Sequence, residues 1–123
     1  MSTQPDITID QGSSLDVVFS IQQENSSAYD LTGYDARLQV RRTYGDTTAL
    51  INCTLANSKL VLTDAVGGVL TLSLAPADTS SIRFNSKDDD TLDCVYDLEI
   101  QSVAGKVFKP AKGLFVISRE VTR

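Results

Sequence analysis

Histidine and tryptophan are absent from this chain of 123 residues, and cysteine occurs only twice. Without histidine, the side chain that most often serves as a general base near neutral pH is missing, and triads built on it are excluded. Cys53 and Cys94 form no CxxC and have no histidine to complete a ligand set, which excludes a zinc site. Cations are also scarce: 11 Lys and Arg against 16 Asp and Glu leave a net charge of -5. Such a chain has no basic field to gather nucleic acid or an anionic membrane surface. No stretch approaches the ~18 apolar residues of a membrane span. The start, Met1-Ser2-Thr3-Gln4-Pro5-Asp6, lacks the basic and apolar parts of a leader, so the chain is expected to be made and kept in a cytosol, or in something assembled there.

What is present is alternation. Its length suits one domain, residues 1–123. Ile7 and Ile9 make a short strand, and Gly12 breaks it from a second in which Leu15, Val17, Phe19 and Ile21 alternate with mostly polar neighbours. After the turn Asp30-Leu31-Thr32-Gly33, Tyr34, Ala36, Leu38 and Val40 face one way while Asp35, Arg37, Gln39 and Arg41 face the other. Residues 50–55 read as a strand with Ile51, Cys53 and Leu55 inward. Residues 59–63 and 69–74 form a hairpin around Gly67-Gly68, whose glycines can supply the positive φ of a tight turn. Residues 76–82, opened by Pro76, fit a single helical turn. Cys94, Tyr96, Leu98 and Ile100 alternate against Asp93, Val95, Asp97 and Glu99, and residues 107–109 and 113–118 fit one strand bent at Pro110.

The fold class is therefore all-β: an antiparallel β-sandwich, immunoglobulin-like, of about eight strands with one short helical turn. A closed barrel is the alternative. Both cysteines fall on the apolar phase of their strands and read as buried thiols rather than a disulfide.

No constellation here supports catalysis. The carboxylates Asp30, Asp35, Asp64, Asp93, Asp97 and Glu99 sit at turns or on outward phases, and a working pair would need a cleft to raise one pKa. The expectation is a non-enzyme with no cofactor. Asp88-Asp89-Asp90 offers oxygen ligands but lacks the spacing of a calcium loop, and reads as a solvated tip. Arg37, Arg41 and Arg42 with Tyr44 form the local cationic and aromatic cluster. Arginine and tyrosine are enriched where protein contacts carry energy, so these four residues and Asp88, Asp89 and Asp90 are the candidate partner contacts. A carbohydrate-binding module would need Tyr29, Tyr34 and Tyr44 as its stacking platform, and the lack of tryptophan counts against it.

The order of segments carries a resemblance. Ile7-Thr8-Ile9-Asp10-Gln11-Gly12, then Tyr29-Asp30-Leu31-Thr32-Gly33-Tyr34 leading into its strand, Gly68-Val69-Leu70-Thr71-Leu72-Ser73-Leu74, Val95-Tyr96-Asp97-Leu98-Glu99-Ile100 and Val116-Ile117-Ser118-Arg119-Glu120-Val121-Thr122 are similar to small structural proteins of tailed bacteriophages. They also resemble the N-terminal immunoglobulin-like domain of phage baseplate upper proteins. The resemblance implies a non-catalytic virion protein, an adaptor or docking subunit of the tail, baseplate or neck. It would be assembled in the host bacterial cytoplasm and present in multiple copies in a symmetric particle, its partners other virion structural proteins, with no nucleic acid or membrane. A head-decoration protein of the capsid is the alternative. Baseplate upper proteins continue into long segments that hold receptor-binding proteins, so this chain would be the docking module without the arm. The loops at 24–29, 44–48 and 83–90 would set specificity.

Overall fold

The computed structural model describes residues 6–23 and 27–121. Residues 1–5, residues 24–26 of the first expected contact loop, and Thr122 of the closing motif lie outside the described residues. The elements run β1 (Ile7–Asp10), β2 (Leu15–Ser20), β3 (Asp35–Arg41), β4 (Ile51–Thr54), β5 (Leu60–Asp64), β6 (Val69–Leu74), α1 (Ala77–Ser80), β7 (Thr91–Gln101) and β8 (Val107–Ser118). They form two sheets, one ordered β1-β8-β7-β3-β4 and one ordered β2-β6-β5. This is an all-β sandwich arrangement and not a closed barrel.

Period-two alternation produces the core. Along β7, Leu92, Cys94, Tyr96, Leu98 and Ile100 are buried while the residues between them face outward. Its neighbours repeat that phase in register: Leu38 lies opposite Leu98, Val40 opposite Tyr96, and Phe115 opposite Cys94. Phe19, Leu60, Leu70 and Leu72 of the smaller sheet complete one apolar cluster with them. Each such side chain contributes roughly 1.5–3 kcal/mol on leaving water. Leu15 and Val17 of β2 are only half-buried, because that strand is an edge. Leu55 falls just past β4 and is half-buried too.

Two expectations are corrected. The sandwich is not wholly antiparallel, since β1 runs parallel to β8 with Ile7 opposite Phe115 and Asp10 opposite Ser118. Alternation specifies which face of a strand is buried and carries no information on direction, so a short first strand can close the edge beside the last one. Of the paired glycines in the β5–β6 turn, only Gly68 has positive φ, at 74°. The turn closes with the Gly68 N–H donating to the Ala65 carbonyl at 3.1 Å. Residues 107–118 form one strand with its irregularity at Pro110, as the sequence leads one to expect. Its register with β7 slips between Leu98 opposite Ala111 and Ile100 opposite Phe108, so Lys109 and Pro110 together face Glu99. A bulge is where a residue without an N–H does least harm to a ladder.

Among the described residues, two polar side chains, those of Gln11 and Thr79, are buried. The Gln11 Nε2 donates to the carbonyls of Thr79 at 3.3 Å and Ile82 at 3.0 Å, and the Thr79 Oγ1 accepts from the Gly12 N–H at 2.8 Å. These bonds tie α1 to the crossing between β1 and β2, satisfying groups that would otherwise be costly to bury.

Candidate functional site

The candidate contacts separate into two places. Arg37, Gln39 and Arg41 project from the outer face of β3, as period two requires, and with Tyr44, Asp97, Glu99 and Lys109 they line an open depression of about 350 Å³. Arg37 lies directly opposite Glu99, pairing through Nη2 and Oε1 at 3.1 Å. Lys109 pairs with Asp97 at 3.4 Å. Both are exposed pairs of the kind worth at most ~1 kcal/mol. Arg41 donates instead to neutral oxygens, the Asp46 carbonyl at 2.9 Å and the Gln39 Oε1 at 2.7 Å, and among the described residues no carboxylate pairs with it. Tyr44, 72% exposed, stands beside it.

Arg42 leaves this group. It follows the last residue of β3 on the opposite phase and donates to the Asn85 Oδ1 at 3.2 Å and to the Arg83 carbonyl. It therefore braces the loop that carries Asp88, Asp89 and Asp90. That loop folds on itself: the Asp89 carboxylate accepts from the Ser86 N–H at 3.0 Å, and the Asp90 carbonyl accepts from the Arg119 N–H at 2.8 Å. Arg119 lies over the Phe84 ring at 4.4 Å and donates to the Ser86 carbonyl at 2.6 Å. No group of three metal-ligating side chains occurs among the described residues, so the three carboxylates do not converge on one point.

The tyrosines do not form a platform. Tyr29 and Tyr34 meet edge to face, with centroids 5.8 Å apart, planes at 88° and hydroxyls 3.1 Å apart. Tyr44 belongs to the depression on the larger sheet. Stacking on a sugar needs coplanar exposed rings, which this arrangement does not offer. On the opposite outer face, of the smaller sheet, Val18 lies opposite Thr71 and Thr71 opposite Val61, with Asp16 hydrogen-bonded to Ser73 beside them.

Cys53 and Cys94 are free and fully buried. Burial, with a smaller push from Asp78, raises the Cys53 thiol from 9.0 to about 12. Burial also raises Cys94, and it raises the Tyr96 phenol from 10.0 to about 12. A thiolate is the reactive form, so both cysteines are expected to resist an aromatic disulfide reagent at pH 8 in the native protein and to react fully in denaturant. Rapid labelling of either native thiol would contradict this. The sign of the linkage follows from the raised values: the unfolded chain ionises first, so the stability from keeping Cys53 and Tyr96 neutral is complete below about pH 9 and is lost as pH rises toward 12.

No helix among the described residues is long and apolar enough to cross a membrane. No protein-family model matches this chain, and no curated protein matches it as a relative.

Proposed function

We propose that this chain is a non-catalytic structural subunit of a tailed-bacteriophage particle, an adaptor that docks neighbouring virion proteins in the tail, baseplate or neck. The observation that carries the reading is the placement of its two motif strands. The strand after the Asp30-Leu31-Thr32-Gly33 turn and the strand containing Tyr96-Asp97-Leu98-Glu99 are hydrogen-bonded neighbours at the centre of the larger sheet. They form the framework of a domain, with their charged outer faces presented to a partner.

The strand order supports an immunoglobulin-like topology. The run β4-β3-β7-β8 corresponds to C′-C-F-G, and β2-β6-β5 corresponds to B-E-D. The chain departs from the antibody pattern in two ways. β1 lies beside β8 and not beside β2, and the inter-sheet disulfide has no counterpart, since both cysteines sit in the larger sheet. Two of the outer-face cations, Arg37 and Lys109, are paired across strands, and the acidic loop is held by Arg42, Arg119 and its own hydrogen bonds. Such an arrangement suits a contact surface better than a reaction centre, whose groups must converge on one atom.

The test is a cryo-electron reconstruction of the particle whose genome encodes this chain. Sandwich-shaped density of about this size in the tail, baseplate or neck is the expected result. Density on the capsid lattice would move the chain to the head-decoration class, and absence from the particle would sink the reading.

A further inference from the structure

One end of the molecule carries apolar side chains that the fold does not need. Val66 is 68% exposed, Val103 85%, Val107 50% and Phe108 37%. Val66 is in the β5–β6 turn, Val103 in the β7–β8 turn, and Val107 and Phe108 open β8. The loop from β2 to β3 brings them together. The Tyr29 ring meets Phe108 edge-on at 6.0 Å, and a Cβ placed on Gly33 would stand 3.3 Å from the Val103 Cγ2. The Leu31 N–H donates to the Ala65 carbonyl at 2.7 Å, which seats the β5–β6 turn against the same loop.

Turn tips ordinarily take Gly, Asn, Asp or Ser, each for a conformational reason. A β-branched apolar residue at two neighbouring tips gains nothing from the turn and exposes surface that monomers usually keep covered. Among the described residues, three carboxylates lie in the segments that meet at this end: Asp30 in the β2–β3 loop, Asp35 at the start of β3, and Asp64 at the end of β5. Lys106 is the cation in the β7–β8 turn. Hydrogen bonds from the Thr32 hydroxyl and N–H hold Asp30 below the usual carboxylate range, so it stays ionised.

We propose that this apolar loop end, centred on Val66, Val103 and Phe108, is a docking surface for a protein whose apolar pocket is edged by lysine or arginine. The acidic edge selects the occupant. A second copy would bring two acidic edges together across a two-fold axis, and an anionic bilayer would meet the same repulsion. A basic-edged pocket gains attraction at the edge and burial at the centre, the usual division of an interface. The inference rests on the docking reading above and names the surface and the partner chemistry.

The experiment titrates the isotope-labelled protein with a short synthetic peptide alternating leucine and lysine, and with its leucine–glutamate counterpart, following backbone amide signals. The lysine peptide is expected to shift residues 66, 103, 107 and 108, and to bind about tenfold more tightly than the glutamate peptide. Val66→Ser with Val103→Ser, which turns tolerate, is expected to weaken it about tenfold. Equal binding of both peptides, no binding, or shifts confined to Val18 and Val61 would overturn the proposal, as would a dimer in sedimentation that these substitutions abolish. Incorporation into particles separates this inference from the reading beneath it. If wild type incorporates and the double variant incorporates equally, only this surface is wrong. If wild type does not incorporate, the docking reading itself fails.

Discussion

A Gly68→Ala variant is expected to lose about 3 kcal/mol of folding stability, whereas Gly105→Ala loses only about 1 kcal/mol. Both glycines have positive φ, 74° and 93°, so both pay the left-handed penalty of an L side chain. They differ in what surrounds them. A Cβ on Gly68 would stand 2.5 Å from the Ile21 carbonyl oxygen and 2.7 Å from that of Tyr29, whereas one on Gly105 meets nothing within 4 Å. The obstructing atoms at Gly68 are backbone, and that backbone is fixed by two bonds: the Ile21 N–H donates to the Gly68 carbonyl at 2.7 Å, and the Tyr29 N–H donates to the Ile21 carbonyl at 3.0 Å. Relief therefore means breaking the contact between the β5–β6 turn and the β2–β3 loop. Urea denaturation of the two variants measures the difference, and equal losses would refute the steric argument.

Phe115→Ala is the second large effect, expected at about 3–5 kcal/mol. Phe115 is fully buried, lies between Cys94 and Ile7 in register, and meets the Tyr96 ring at 6.4 Å. Truncation removes the transfer free energy of a benzyl group and opens a cavity that three paired strands cannot easily collapse. A domain of this size commonly has a total stability of about 5–15 kcal/mol, so the variant would be partly unfolded at elevated temperature. Phe115→Leu keeps most of the volume and is expected to cost less than about 1.5 kcal/mol. The comparison is read from denaturation midpoints at unchanged slope. Similar losses for the two variants would mean that shape, and not cavity volume, decides this site.

Strand positions were legible because alternation is a local property. Val69–Leu74 carries inward Leu70, Leu72 and Leu74 whatever lies next to it, and Ala36, Leu38 and Val40 do the same for β3. The division into two sheets and the direction of β1 depend on pairings between distant segments, and no short window contains them. Burial of Gln11 and Thr79 was hidden for a related reason: both are polar by type and become interior only when α1 lies over the strand crossing. At the candidate site, Arg37 and Arg41 share a face by the same period-two rule that places the core. Arg42 fell out of the group where the strand ended. The exposed valines carry no signal in a short window, since a single apolar residue in a turn belongs to no period, and only the fold brings Val66 and Val103 to one end.

The parallel pairing of the first and last strands also sets how the domain bears mechanical load. Pulling its two ends apart drives β1 and β8 in opposite directions along their common axis. The rungs from Ile7 opposite Phe115 to Asp10 opposite Ser118 are then strained together in shear. A hairpin pulled from its open end would instead unzip one rung at a time. Tension transmitted along the chain therefore meets its cooperative resistance at the outset, before the core is disturbed.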